Sequence, residues 1–379
     1  RADMDGVDWA GVADRWRPVL DRLRTHDDLV DVLWEVGAEL NTSHSYVTPA
    51  DPPGDQERRL GLLGADLARA EDGWRIERIL PGESSDPEAR SPLRAAGVDA
   101  RAGDLVVAVD GVPVDPVLGP APLLVGAAEK PVELTLRRGG TDRRVVVVPL
   151  KSEETLRYQD WVRSRREYVR EQTEGRLGYV HIPDMVASGW AQLHRDLRHA
   201  SRAEGIVVDV RYNRGGHTSE LVLSRLIARV LAWVPGRHFA TPGSYPSQAA
   251  RGPVVLVANA EAGSDGDIIV AAAQSVGLGP VVGERTWGGV VGIDGRFSLV
   301  DGTSVTQPRY AFVFEAKGWG VENHGVDPDI EVIHSPADFG AGEDRQLDRA
   351  IAEAFAALER RPALEPPGLP EPRVRAGEG

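Results

Sequence analysis

The sequence predicts a multidomain protein of α/β and β character: a small helical domain, then a small β-barrel domain, then an α/β domain. Three observations carry this reading. An apolar stripe at helical spacing runs through residues 9–40, short strands broken by Gly and Pro fill residues 60–150, and strands alternate with helices from residue 158 onward. The 379 residues allow two or three domains at roughly 100–200 residues each. The expected boundaries are 1–58, 59–150 and 151–360, with 361–379 a tail too rich in Pro, Glu and Gly to pack and expected to be disordered.

In the first segment Leu29, Val32, Leu33, Val36 and Leu40 fall on one helical face. The polar run Asn41-Thr42-Ser43-His44-Ser45-Tyr46 ends that stripe, and Asp51-Pro52-Pro53-Gly54-Asp55 punctuates the chain as a linker. In the second segment strands are expected at 60–65, 74–79, 105–109, 132–136 and 144–148, with a short helix at 93–98. In the third, strands at 177–182, 205–211, 254–259 and 281–282 alternate with helices at 190–203, 221–231 and 266–276. Residues 296–310 read as a hairpin turning at Asp301-Gly302, and a last helix lines up Leu347, Ala350, Ile351, Ala354, Phe355 and Leu358.

Composition narrows the function. A formal charge of −14 with no segregated basic stripe makes nucleic acid a poor partner, and no run of about 20 apolar residues spans a bilayer. The absence of cysteine excludes disulfides, thiolate metal sites and a cysteine nucleophile, and suits a reducing compartment. No His-Glu-x-x-His run or close ligand cluster suggests a metal, and no cofactor is implied. The chain opens on Arg1 and a helical pattern, with no basic-then-apolar export signal, and reads as part of something longer.

Two turns leave the carboxyl ends of apolar strands, where open α/β sheets hold ligands. Arg211-Tyr212-Asn213-Arg214-Gly215-Gly216-His217 can turn its N–H groups outward as an anion nest. Asn259-Ala260-Glu261-Ala262-Gly263-Ser264-Asp265-Gly266-Asp267 sets Ser264 at a helix amino end, as a plain cap or as a nucleophile exposed between glycines, with the Asp265 amide aimed at an oxyanion. A serine nucleophile needs a base. Of the three lysines, Lys317 alone lies past residue 158, and it is not on the helix after Ser264, so histidine remains. His217, His324 and His44 are the candidates, with Glu322 able to anchor part of a relay and Thr286-Trp287-Gly288-Gly289 able to line a cleft.

Gly103-Asp104-Leu105 through Val112-Pro113-Val114 resembles a PDZ domain, in which a loop such as Leu60-Gly61-Leu62-Leu63-Gly64 offers N–H groups to a peptide carboxylate; a spacer that has lost this binding is the alternative. The runs Thr42-Ser43-His44-Ser45-Tyr46, Ala262-Gly263-Ser264-Asp265-Gly266-Asp267, Gly283-Glu284-Arg285-Thr286-Trp287-Gly288-Gly289-Val290-Val291-Gly292 and Gly325-Val326-Asp327-Pro328-Asp329 together resemble the carboxy-terminal half of the tricorn proteases. The resemblance implies a helical domain carrying the base, a PDZ-like β-barrel domain and a crotonase-like α/β catalytic domain. It further implies a cytoplasmic serine peptidase that acts as a homo-oligomer, a hexamer in the family, on oligopeptides released by the proteasome. Ser264 would be the nucleophile, His44 the base, and Ser43 with Glu322 the rest of a tetrad; the oxyanion hole would be the Asp265 amide plus that of Gly215 or Gly216. The family's amino-terminal β-propeller domains are absent from this chain. Alternatives are a carboxy-terminal processing peptidase using Ser-Lys, a non-enzymatic PDZ-type peptide-binding scaffold, and, more weakly, an acyl-CoA enzyme of the crotonase type.

Overall fold

The computed structural model describes residues 6–50, 55–86, 88–238 and 241–368. Most of the linker at 51–55 and the tail from 369 onward lie outside them. The chain forms two compact units, Arg1–Asp51 with Arg166–Gly379, and Pro52–Arg165. The opening helical segment is therefore not a separate body: it clusters with the α/β part.

That segment holds α1 (Trp9–Leu20), α2 (His26–Ala38) and strand β1 (Val47–Thr48). The periodic stretch 9–40 is two helices, because Thr25 stops the run and starts a new one with a capping box to Asp28. Its apolar stripe is half-buried, with Val12 and Gly37 fully covered.

The Pro52–Arg165 unit is an antiparallel sheet of β2 (Ala65–Ala70), β3 (Gly73–Ile79), β4 (Leu105–Val109), β5 (Val112–Pro113), β6 (Val132–Arg138) and β7 (Thr141–Val147), in the order β2-β3-β4-β6-β7 with β5 on β4. Ile76, Leu93, Val106, Leu134 and Leu136 fill its core. Residues 60–65 do not make the expected strand: Leu60 and Leu62 form isolated bridges to Val125 and Leu150, and regular pairing begins at Ala65. The helix expected at 93–98 is a single 3₁₀ turn, Pro92–Arg94, because Ala95 is already extended. The boundary between the units falls inside α3 (Glu154–Gln172).

The other unit continues with β8 (Leu177–His181), α4 (Ala187–Ala200), β9 (Gly205–Asp209), α5 (Ser219–Leu226), β10 (Ala232–Val234), β11 (Gly243–Tyr245), β12 (Val254–Ala258), α6 (Asp265–Ser275) and β13 (Val281–Gly283). Next come β14 (Gly292–Asp294), β15 (Ser304–Val305), β16 (Gln307–Tyr310), β17 (Ile330–Glu331), α7 (Pro336–Ala341) and α8 (Arg345–Arg360). A five-stranded parallel sheet, ordered β17-β13-β12-β9-β8, is the frame. Strands β8, β9 and β12 are buried at every position, which explains their unbroken apolar runs in the sequence. Because β9 and β12 are neighbours, the turns after Asp209 and after Ala258 emerge side by side from the carboxyl edge.

Two further expectations differ. The arms of the 296–310 hairpin part company: the chain does turn at 299–303, but β15 pairs with β1 and β16 with β14, leaving only a Ser298–Ser304 bridge between the arms. Past Arg361 the chain does not leave the surface at once, since Arg251 exchanges backbone and guanidinium hydrogen bonds with Leu364, each 2.8 Å.

Candidate active site

The turn after β12 is built around Ser264, which has φ 59° and ψ −121°. An ordinary N-cap is extended, as at Thr25 (φ −130°, ψ 165°) and Ser335 (φ −79°, ψ 158°). Capping alone does not call for the sparsely populated conformation at Ser264; a strand-to-helix turn that exposes the hydroxyl at the sheet edge fits it. The strain is held by Asp267, fully buried, whose carboxylate accepts the N–H groups of Ser264 (2.9 Å), Gly288 (2.8 Å) and Gly289 (3.1 Å). Burial raises its pKa, against these donors and the Thr286 hydroxyl. Asp267 was not singled out from the sequence, although the Ser-x-x-Asp spacing of a capping box was there to find it.

The turn after β9 interlocks with this one. Asn213 donates from Nδ2 to the Ile182 carbonyl (2.8 Å), its own carbonyl accepts the Gly263 N–H (3.0 Å), and its Oδ1 accepts the Gly215 N–H (2.9 Å). Gly215 lies directly on Ser264: a Cβ there would stand 2.4 Å from Ser264 Cβ and 2.9 Å from Ser264 Oγ. The two amides proposed for an oxyanion hole thus differ. The Gly215 N–H is spent on Asn213, whereas the Gly216 N–H donates to no acceptor among the described residues. Asp265 is the first residue of α6, so its N–H has no intrahelical acceptor, and its buried carboxylate accepts the Ser219 N–H at 3.1 Å. Beneath the turn the buried Arg211 guanidinium bridges Asp209 (2.7 Å) and Asp344 (2.9 Å), tying the end of β9 to the N-cap of α8.

His44 comes from the polar run after α2. Ser43 Oγ lies 2.9 Å from its Nδ1, which leaves Nε2 as the ring nitrogen for chemistry. Glu322 organises this loop: Oε1 accepts the Ser43 N–H (2.7 Å) and the Thr42 hydroxyl (3.2 Å), and Oε2 accepts the N–H groups of Val290 (2.8 Å) and Val291 (3.1 Å). The carboxylate therefore grips Ser43 by its backbone, not its hydroxyl. The Thr306 hydroxyl bonds the His44 carbonyl and accepts the Tyr46 N–H at 2.8 Å, extending the β1–β15 pairing back to the histidine. His44 is 8% exposed, and burial lowers its pKa below the usual 6.5 while the Glu322 charge opposes that shift. At neutral pH the imidazole is uncharged and able to accept a proton.

Trp287 links the two halves. Its ring is edge-on to His44 with centroids 5.1 Å apart, its backbone N–H donates to the Ala262 carbonyl (3.0 Å), and a Cβ on Gly263 would stand 2.6 Å from its Cε3. Among the described residues no hydrogen bond joins His44 to Ser264 directly. Of the other candidate bases, His324 Nε2 pairs with Asp327 at 2.9 Å, and His217 is exposed on the turn before α5.

A strained serine turn, a neutral imidazole and unclaimed amides at a parallel-sheet edge fit the serine peptidase class, and residues 176–332 match peptidase family S41. The flanking residues 61–152 match the tricorn protease PDZ domain and residues 1–38 the tricorn protease C1 domain; the chain belongs to the tricorn protease family, as its carboxy-terminal domains. It is 64% identical over 98% of its length to tricorn protease homolog 1 of Streptomyces coelicolor, covering 35% of that protein, and 36% identical over 92% to the tricorn protease of Thermoplasma volcanium, covering 34%. A crystal structure of the tricorn protease superposes with a TM-score of 0.87 at 34% identity, over 92% of this chain and 34% of that one. The chain thus spans about a third of the length of these relatives.

Proposed function

We propose that this chain is the catalytic portion of a tricorn-type peptidase that hydrolyses oligopeptides released by the proteasome. Ser264 Oγ attacks the scissile carbonyl as its proton passes to His44 Nε2. The amides of Asp265 and Gly216 receive the oxyanion, His44 returns the proton to the leaving amine, and a water activated by the same imidazole releases the acyl group. Ser43 and Glu322 hold the ring in the tautomer that leaves Nε2 unprotonated. The observation that carries this reading is the chain of contacts Glu322–Ser43–His44, at 2.7 and 2.9 Å, docked through Trp287 on the turn that strains Ser264. A lysine base finds no support: α6, which follows Ser264, contains none, and Lys317 is exposed on a distant stretch of sequence. The setting inferred with this activity is cytoplasmic and homohexameric, supported by the family resemblance and the absence of cysteine; among the described residues no helix is long and apolar enough to cross a membrane.

Turnover of fluorogenic oligopeptides by Ser264→Ala and His44→Ala chains tests the proposal. Both should lose activity with the melting transition retained. Undiminished turnover in either would remove that residue from its role.

A further inference from the structure

In the Pro52–Arg165 unit, the loop Leu60-Gly61-Leu62-Leu63-Gly64 leads into β2, an edge strand with β3 on one side and no strand on the other among the described residues. This is the geometry in which a peptide terminus docks by β-addition, its carboxylate on the loop amides. The loop is not empty-handed. Gly61 N–H donates to Leu124 O (2.8 Å) and Leu62 N–H to Leu150 O (2.9 Å), which leaves the N–H groups of Leu63 and Gly64. The Gly64 N–H is taken at 2.6 Å by Oε1 of Glu153, a residue 89 positions away whose side chain is only 11% exposed. Its second oxygen, Oε2, accepts Nε of Arg157 at 2.8 Å, and Arg157 Nη1 reaches Asp66 Oδ1 on β2 at 2.9 Å. A backbone N–H on one oxygen and a guanidinium on the other make a charge-assisted carboxylate receptor at the head of an open strand edge, and a carboxylate already sits in it.

We infer that Glu153 is a resident stand-in for a peptide's terminal carboxylate, so that this site takes a chain terminus along β2 only when Glu153 is withdrawn. The ligand class is a peptide with a free α-carboxylate; the receptor is the Gly64 and Leu63 amides with Arg157. The site lies in a different unit from Ser264, and the inference stands apart from the assignment of the peptidase residues.

The test titrates a fluorescein-labelled pentapeptide with a free carboxyl terminus, and its carboxamide twin, into the full chain carrying Ser264→Ala to prevent cleavage. Anisotropy should show at least tenfold tighter binding of the free acid after Glu153→Ala than before, no such gain for the amide, and loss of the gain on adding Arg157→Ala. Binding at the active site would be common to all these chains and cancels. Equal affinity with and without Glu153, no binding in a folded Glu153→Ala chain, or a gain shared by the amide would each overturn the inference. Should the variant fail to fold, the Gly64 amide resonance of the chain with Glu153 intact decides. It should stay fixed as free-acid peptide is added, and movement would show that Glu153 does not hold the site.

Discussion

The two halves of the proposed catalytic site are held by different physics. The Ser264 turn grows from β12, every residue of which is buried, and is fixed by backbone bonds to Asn213 and Asp267 within the main core. The His44 loop grows from half-buried helices and is fixed by polar clasps: one carboxylate, Glu322, with four donors, one threonine, Thr306, and a two-residue strand pairing. The proposed nucleophile on a rigid frame and the proposed base on a docked loop should respond differently to substitution. Changes to the frame around Ser264 should disturb fold and chemistry together, whereas changes to the His44 loop should alter chemistry and pH dependence while the fold persists.

The largest effects should fall on the proposed reacting groups. Ser264→Ala and His44→Ala should each lower kcat by on the order of 10⁴–10⁶-fold, and the double variant no further than the worse single, because the pair acts as a unit; additive losses in steady-state assays would separate them. Next comes the rigid frame. Gly215→Ala places a methyl group against Ser264 at a backbone φ of +73°, so it should cost about 10²-fold in kcat, with a lowered melting temperature; a stable variant with full activity would show that the turn yields.

On the docked side, Glu322→Gln should lower kcat/KM by roughly ten- to a hundredfold with little change in melting temperature. Its pH profile sharpens the comparison. Burial sets the His44 pKa below 6.5 and the Glu322 charge lifts it, so the acid limb of kcat/KM lies below pH 6.5 and moves lower still when the charge is removed. The sign for stability follows: a histidine whose folded pKa is lowered stabilises the fold above its unfolded pKa, and that contribution fades as pH falls through 6.5 and below. An acid limb that moves upward in Glu322→Gln would contradict the assignment. The smallest effect belongs to Thr306→Val, which removes the hydroxyl bonded at His44 and Tyr46. A loss of about 1 kcal/mol and a few-fold fall in kcat/KM are expected, measured by denaturant titration and turnover.

Much of this was legible in the sequence because it was local. The apolar runs of β8, β9 and β12, the glycine-flanked Ser264 and the stripe of α8 all report short-range pattern, and Leu347, Ala350, Ala354 and Leu358 are buried as the stripe implied. What escaped is what long-range pairing decides. The turn at 299–303 announced itself, but nothing local says that Val305 pairs with Val47 and not with its own hairpin arm. Likewise two glycines in sequence look equivalent as amide donors, and only the placement of Asn213 Oδ1 separates Gly215 from Gly216. Thr306 acts through partners remote along the chain, so its residue type alone carried no signal, and of the bonds Asp267 makes only the one to Ser264 is local enough to leave a spacing in the sequence.

The central claim is that the imidazole of the opening helical segment activates the serine of the β12 turn. The most direct measurement is the second-order rate of fluorophosphonate adduct formation at Ser264, with the site mapped by mass spectrometry, in chains with and without His44. The account predicts modification of Ser264 that falls at least a hundredfold in His44→Ala while the melting curve is unchanged. Equal rates in the two chains, or an adduct on another serine, would contradict it.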